Sequence, residues 1–162
     1  WGHPQTPNYW GHVIANHSLS HNFNLLYPGR VPNQSQIISE VDQTMANFKA
    51  ILGKDFKTRI FRYPGSHMSW QGLESTDQAL ANKGIQWIDW NMLCGDAEPL
   101  SVRPTTSESM MAYMDGSQKY FPETTVKVVL MHDTAGKELT VQTLPQIIEY
   151  FKNQGYTFGV LE

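Results

Sequence analysis

Residues 11–21 read GHVIANHSLSH, a short run of β-branched side chains followed by two histidines four positions apart. Val13 and Ile14 are typical of the end of a buried strand. If the chain turns helical or curls tightly after them, His17 and His21 fall on one face, close enough to share a metal ion. Neutral imidazole is a good ligand for zinc and related metals. A lone H-x-x-x-H spacing is a weak signal, so the rest of the chain must supply its context.

The composition describes a globular protein with a rather neutral surface. The chain has 162 residues, 40% hydrophobic and 17% charged, which suits one domain with a substantial core. A formal net charge of -3 shows no excess of basic residues, which argues against nucleic acid as a partner. No apolar run approaches the length needed to cross a bilayer. With one cysteine, Cys94, an internal disulfide is excluded, and a small buried thiol is expected.

Apolar spacing predicts helices that alternate with short strands. Helices are predicted over 35–52, 73–82, 106–114 and 141–153, and strands over 59–62, 85–90, 126–131 and 156–161. The segments 1–10, 22–34 and 91–104 are predicted as irregular lead-in or loop. The strand over 126–131 and Leu144, on the last helix, are expected to be buried. Alternating strands and helices favour right-handed β-α units around a parallel sheet or barrel.

Polar residues lie at the ends of several predicted strands or just past them. They are His17 and His21, then Arg62, then Asp89 with Asp96, then His132 with Asp133. In such folds the chemistry lies where strands end and loops begin, so we expect these side chains at one edge of the sheet. Each has an ordinary alternative: Arg62 as a surface charge, Asp89 as a loop cap and His132 as a core histidine. Their joint placement favours a functional site.

Four ordered motifs carry a family resemblance. They are His17-Ser18 with His21, Phe61-Arg62-Tyr63-Pro64-Gly65-Ser66, Asp89-Trp90-Asn91 through Gly95-Asp96, and Val129-Leu130-Met131-His132-Asp133. In order, they resemble the metal motif H-[ST]-x-x-H, the arginine and proline motif, the Asp/Trp motif and the closing L-x-H-D motif of the polysaccharide deacetylases. This is the NodB-homology type, carbohydrate esterase family 4, and the second motif has the form of Gram-positive peptidoglycan deacetylases. The resemblance implies an α/β fold, a distorted (β/α) barrel.

The resemblance also implies roles for the matched residues. His17 and His21 are expected to hold a divalent metal, Zn²⁺ first, with Co²⁺ or Mn²⁺ as alternatives. His132 is expected to be the general acid, and Arg62 to orient carboxylates around the metal.

The Asp/Trp motif is ambiguous in register. Leu93 stands where many relatives have the first Asp, and Ala97 where they have Trp. Asp89 and Asp96 therefore compete for the catalytic aspartate of the family.

A substrate surface is implied as well. The expected residues are Tyr63, Pro64, Trp90 and Leu130. Trp90 and Leu130 would be apolar walls for the acetyl methyl group, and Tyr63 would stack against a sugar together with Trp70. Ordinary core packing is the alternative for each.

The first motif of the family, T-F-D-D on an N-terminal strand, has no counterpart in residues 1–10. In relatives its first Asp is the general base and its second is the third metal ligand. Residues 1–162 are therefore expected to form a single deacetylase domain, incomplete at its N-terminus, with the first strand missing. We expect truncation or cleavage rather than an evolved inactive relative, because the other four motifs are intact. A separate N-terminal segment that carries the missing aspartates is an expected partner.

The implied function is metal-dependent hydrolysis of N-acetyl groups on the N-acetylglucosamine units of a cell-wall polysaccharide. Peptidoglycan is preferred, with chitin or an exopolysaccharide as alternatives, and the expected location is the exterior or surface of a Gram-positive bacterium. An inactive NodB-like domain that binds glycan or serves as a scaffold is the alternative from another class. A zinc peptidase is disfavoured because Ser18 stands where H-E-x-x-H has its glutamate.

Overall fold

The computed structural model describes residues 11–161, which divide into two compact units. The first unit contains residues 11–89 and 159–161, and the second contains residues 90–158. The irregular lead-in predicted for residues 1–10 lies outside the described residues. Within residues 11–161, no helix combines the length and the apolar character that a membrane span requires. That the two units form a single catalytic domain stays a prediction.

The first unit is one parallel β-α-β arrangement preceded by a long helix. Its elements are α1 (Phe23–Leu26), α2 (Gln34–Leu52), β1 (Ile60–Phe61), α3 (Glu74–Asn82) and β2 (Gln86–Trp87), with 3₁₀ turns at Pro28–Arg30 and His67–Ser69. Strands β1 and β2 pair in parallel, with α3 as the crossover between them. Asn16 adds an isolated parallel bridge to Phe61 on β1. Because α3 joins two paired parallel strands, the β-α-β organisation predicted from the alternating pattern is confirmed here.

Local chemistry explains where α2 begins and ends. The side chain of Asn33 accepts a hydrogen bond from the backbone N–H of Gln36, which satisfies one of the unpaired donors of the first turn. Gly53 ends the helix at φ 108°, a conformation that favours glycine. The buried face of α2 contributes to an apolar core with α1, β1 and α3. Its buried members are Leu26, Tyr27, Ile37, Val41, Phe61, Tyr63, Leu73, Leu80 and Ile85.

The second unit repeats the parallel β-α-β arrangement. Its elements are β3 (Met92–Leu93), α4 (Ser107–Ser117), β4 (Val129–Leu130) and α5 (Glu138–Asn153), with a 3₁₀ turn at Gln118–Tyr120. Strands β3 and β4 pair in parallel. A capping box between Thr106 and Ser109 begins α4. The core of this unit consists of Met92, Cys94, Met110, Met114, Ile147 and Phe151.

Cys94 lies directly after β3 in that core. Its side chain is fully buried, as expected, and burial raises the pKa of the thiol to about 11. The next residue, Gly95, has φ 81°, and a Cβ there would lie 2.7 Å from the ring of Tyr113. Glycine is therefore required where the chain leaves β3, because any side chain would displace that ring.

Several strand predictions are corrected by the structure. The predicted buried strand end at Val13 and Ile14 is wrong, since Val13 is 43% exposed and the parallel pairing begins at Asn16. The predicted strand over 126–131 is reduced to Val129–Leu130, both half-buried, and Val126 is 72% exposed. A run of β-branched residues indicates a propensity for strand structure. A strand forms only where a neighbouring strand supplies hydrogen-bond partners.

The loop and terminal predictions also need correction. The predicted loop 91–104 contains β3, and the predicted loop 22–34 contains α1 and a 3₁₀ turn. No strand is present within the described part of 156–161, where the alternating residues have no strand partner. Leu144, predicted to be buried on α5, is 38% exposed because Thr143 occupies the buried position beside it.

Two of the three isoleucines of α2 provide a test of this core. Ile37 is fully buried, whereas Ile51 on the last turn is 79% exposed. We expect Ile37→Ala to lower the free energy of unfolding by about 2–5 kcal/mol, because it removes buried hydrocarbon and leaves a cavity. Ile51→Ala, the matched control, should change it by no more than about 0.5 kcal/mol. Urea denaturation of both variants measures this, and equal losses would contradict the burial of Ile37.

Candidate functional site

His17 and His21 lie together in a tightly curled loop after Asn16. Their ring centroids are 5.1 Å apart in a T-shaped arrangement. The loop is not helical, because Ser18 and His21 adopt positive φ values of 66° and 52°. The predicted proximity of the two imidazoles is therefore achieved by a curl rather than by a helical turn. Their role as metal ligands stays a prediction.

A backbone carbonyl orients the first imidazole. Nδ1 of His17 lies 2.7 Å from the carbonyl oxygen of Arg62. A carbonyl can only accept a hydrogen bond, so Nδ1 of the neutral ring carries the proton and the lone pair lies on Nε2. Histidines that bind metals characteristically donate their other ring N–H to such an acceptor. The imidazoles of His17 and His21 thus fit two of the three protein ligands that a catalytic zinc takes. Within residues 11–161, no group of three or more His, Cys, Asp and Glu side chains is arranged to hold a metal.

Asn16 connects this loop to β1 and α2. Its backbone N–H donates to the carbonyl of Ile60, and its own carbonyl accepts from the N–H of Arg62, both at 2.9 Å. Its fully buried side chain donates to the carbonyl of Val41 at 3.0 Å and accepts from the N–H of Ser18 at 3.1 Å. The start of the histidine loop is therefore fixed by both the backbone and the side chain of one residue.

Glu40, on α2, holds the middle of the same loop. Its Oε2 accepts from the N–H groups of Leu19 at 3.0 Å and Ser20 at 2.9 Å. Its Oε1 accepts from Oγ of Ser20 at 2.7 Å and from Nε2 of Gln36 at 3.0 Å. Burial raises the pKa of Glu40, but these hydrogen bonds outweigh it and lower the pKa to about 2. The carboxylate is 2% exposed and ionised at neutral pH.

Glu40 was not predicted as a site residue, although its position in the pattern of α2 is a signal. Glu40 lies on the same helical face as Ile37, Val41 and Thr44, all of them buried. A carboxylate within an apolar stripe requires partners, and this spacing could have identified it.

Arg62 and Asp89 lie close to each other in the first unit, after β1 and β2. Burial lowers the pKa of Arg62, an effect that the charge of Asp89 opposes. Oδ2 of Asp89 also accepts from the N–H of Met68 at 3.1 Å. Asp89 therefore stabilises both the guanidinium and the segment that follows Pro64.

Asp96 and His132 are in contact in the second unit. Oδ1 of Asp96 lies 2.8 Å from Nδ1 of His132, and Oδ2 accepts from the N–H of His132 at 2.7 Å. Thr140 donates to Oδ2 at 3.0 Å, and Lys137 donates to the carbonyl of Asp96. Burial raises the pKa of Asp96, but the hydrogen bonds from His132 and Thr140 outweigh it and lower the pKa. Of the two candidates for the catalytic aspartate, Asp96 contacts His132, whereas Asp89 lies near Arg62.

The predicted substrate residues differ in accessibility. Tyr63 is 1% exposed and donates its hydroxyl to Asp77 at 2.8 Å, so its ring offers no open face to a sugar in this structure. Pro64 is buried, and Trp90 and Leu130 are half-buried. Trp70 is stacked on Tyr27, with ring centroids 3.9 Å apart, and donates Nε1–H to the carbonyl of Pro64.

A second histidine and carboxylate pair was not predicted. Nε2 of His67 lies 2.9 Å from Asp77, which also accepts from Tyr63. The ring of His67 is stacked on Trp87, with centroids 3.8 Å apart. No spacing in the sequence could have indicated this cluster, because its members come from separate segments.

A family comparison covers two of the four motifs. The polysaccharide deacetylase model matches residues 8–88, half of the 162 residues. This chain belongs to the polysaccharide deacetylase family. The matched region includes the histidine loop and the arginine and proline motif.

Solved structures and a curated relative agree with this assignment. A carbohydrate esterase family 4 esterase of Streptococcus mutans is 55% identical, with a TM-score of 0.92 over 94% of this chain. The catalytic domain of a peptidoglycan N-acetylglucosamine deacetylase from Eubacterium rectale is 29% identical, with a TM-score of 0.70 over 94% of this chain. A bifunctional xylanase/deacetylase of Pseudobutyrivibrio xylanivorans is 31% identical over 126 residues, 78% of this chain.

These matches confirm the α/β fold of the NodB type, a distorted (β/α) barrel in this family. The chain spans 64% of the Streptococcus mutans chain, 66% of the Eubacterium rectale chain and 18% of the bifunctional relative.

The carboxylate of Glu40 should make stability depend on pH. Its pKa falls from 4.5 to about 2 on folding, so its contribution is present above pH 4.5 and lost as the pH falls towards 2. At neutral pH we expect Glu40→Gln to be less stable than wild type by up to about 3 kcal/mol. Denaturant unfolding of both proteins at several pH values should show this difference shrinking below pH 4.5. A difference that is constant with pH would contradict the ionised, hydrogen-bonded carboxylate.

Proposed function

We propose that this protein is a metal-dependent hydrolase that removes N-acetyl groups from N-acetylglucosamine units of a cell-wall polysaccharide, peptidoglycan above all. The observation that carries the proposal is the pair of imidazoles of His17 and His21, with ring centroids 5.1 Å apart and the first ring oriented by the carbonyl of Arg62, in a chain of the polysaccharide deacetylase family. The relative from Eubacterium rectale, named as a peptidoglycan N-acetylglucosamine deacetylase, supports the choice of polymer. A polymer of this kind also suits a protein that acts outside or on the surface of a Gram-positive bacterium.

His17 and His21 would hold the metal, Zn²⁺ by preference, with Co²⁺ or Mn²⁺ as alternatives. The chemistry that a divalent metal supplies in such a site is polarisation of the acetyl carbonyl and activation of water near neutral pH. A third ligand and the general base would come from a separate N-terminal segment that carries two aspartates. The half-buried guanidinium of Arg62, beside Asp89, would orient carboxylates through its planar fork.

His132 would supply the proton that the leaving amine needs. Its Nδ1–H faces ionised Asp96, so Nε2 is the nitrogen that exchanges a proton with the substrate. The adjacent negative charge stabilises the imidazolium until the transfer. In the overall reaction the amide C–N bond breaks, water supplies the oxygen of acetate, and the sugar nitrogen gains the proton. Trp90 and Leu130, both half-buried, would contact the acetyl methyl group.

The proposed roles of His132 and Asp96 can be tested directly. We expect His132→Ala to lower kcat for acetate release from N-acetylglucosamine oligomers or peptidoglycan by about 100- to 10,000-fold, since it removes the general acid. Asp96→Asn should lower kcat by about 100-fold or more, because the neutral amide neither fixes the tautomer nor stabilises the imidazolium.

Glu149→Gln is the matched control, because Glu149 is exposed on α5 of the same unit. Its kcat should equal that of wild type. Full activity in His132→Ala would exclude His132 as the acid. If the wild type binds glycan but releases no acetate even when an upstream segment with the T-F-D-D motif is added, the binding or scaffold alternative is favoured.

We expect the 162-residue chain by itself to bind zinc weakly and to release little acetate, because the proposed site has two ligands, His17 and His21, where catalytic zinc takes three. Adding an upstream segment with the T-F-D-D motif should raise both zinc affinity and acetate release. The same segment with both aspartates changed to asparagine is the control and should restore neither. Strong activity of the 162-residue chain alone would show that the aspartates are not needed.

A further inference from the structure

Glu40 is a buried charge that the proposed chemistry does not use. Its side chain is 2% exposed, and the described residues place no cation in a salt bridge with it. A buried carboxylate without a counterion is costly unless hydrogen bonds replace its hydration. Glu40 accepts four hydrogen bonds, from Leu19, Ser20 and Gln36. Three of these come from the loop between the two histidines, so the charge is compensated only while the loop keeps this shape.

The loop adopts a conformation that it would not keep unaided. Ser18 and His21 both lie in the left-handed region, with φ values of 66° and 52°. Such a conformation costs on the order of 1 kcal/mol or more for each non-glycine residue and persists where surrounding contacts impose it. The N–H groups of Leu19 and Ser20, which Glu40 binds, lie between these two residues in the chain. Glu40 therefore acts on the part of the loop that sets the separation of the imidazoles.

The hydrogen bonds made by the side chains of Asn16 and Ser18 do not stabilise the middle of the loop. Asn16 accepts from the N–H of Ser18, and Oγ of Ser18 accepts from the N–H of His21 at 3.2 Å. Neither contact reaches the backbone of Leu19 or Ser20. Removal of Glu40 would leave two N–H groups and the hydroxyl of Ser20 without their acceptor, and the loop would rearrange to hydrate them.

We propose that Glu40 is a positioning residue of the metal centre. By binding the backbone of Leu19 and Ser20, it preorganises His17 and His21 for a shared cation. This inference rests on the proposed metal site. Groups that orient metal ligands without touching the metal typically change affinity by about 10- to 100-fold when they are removed.

Zinc affinity of the whole 162-residue chain, measured by competition with a chromophoric chelator, tests the proposal. Glu40→Ala should weaken zinc binding by about 10- to 100-fold. Glu40→Gln should stay within a few-fold of wild type. Its remaining oxygen can accept from Leu19 and Ser20, and its amide can donate to Oγ of Ser20 and to a reoriented Gln36.

Two further variants separate positioning from stability. Asp42→Ala removes an exposed carboxylate of α2 that pairs with Lys83, and its zinc affinity should equal that of wild type. Ile37→Ala destabilises the same helix but removes no hydrogen bond to the loop, and a folded sample should keep wild-type affinity. Wild-type affinity in Glu40→Ala, or an equal loss in Ile37→Ala, would overturn the proposal.

A measurement without metal keeps this inference distinct from the proposed function. In the metal-free protein, nuclear Overhauser contacts between the rings of His17 and His21 should be present in wild type and lost in Glu40→Ala. If His17→Ala binds zinc as tightly as wild type, the proposed metal site fails. Ring contacts that persist in Glu40→Ala would overturn the positioning role by themselves.

Discussion

The hydrogen bonds of one buried amide organise the histidine loop and its surroundings. Asn16 is fully buried, and its backbone and side chain bond to β1, α2 and the loop. Each of these partners would be left unsatisfied in the interior if the amide moved, at a cost of about 1–3 kcal/mol per group. Because Asn16 binds the N–H of Arg62, and the carbonyl of Arg62 orients His17, the same contact fixes both the strand and the ring that follows it.

The long helices and the parallel topology could be predicted because their signals are local. The apolar positions of α2 recur with helical spacing, and Asn33 and Gly53 mark its ends within two residues of prediction. Strands that alternate with helices favour parallel pairing, and β1 with β2 and β3 with β4 both pair in parallel. The approach of His17 to His21 was also accessible from spacing alone, since four residues cannot separate two rings far in a curled segment.

The remaining features depend on contacts between distant parts of the chain. Oε1 of Glu40 binds Ser20, 20 residues earlier, and Asp96 binds His132, 36 residues later. The choice between Asp89 and Asp96 as the partner of His132 could not be made from the motif, because its register was ambiguous and only folding brings one of them to the ring. The predicted strand lengths were wrong for the same reason. A β-branched run such as that at 126–131 forms a ladder only over the residues that pair with another strand.

The thiol of Cys94 has a consequence for experiments in solution. It is fully buried in the core of the second unit, and its pKa of about 11 leaves almost no thiolate at neutral pH. Since the reactive species is both scarce and enclosed, alkylating reagents can reach it only when this unit opens transiently. Cys94 is thus a natural probe whose rate of modification reports local unfolding around β3, without any introduced label.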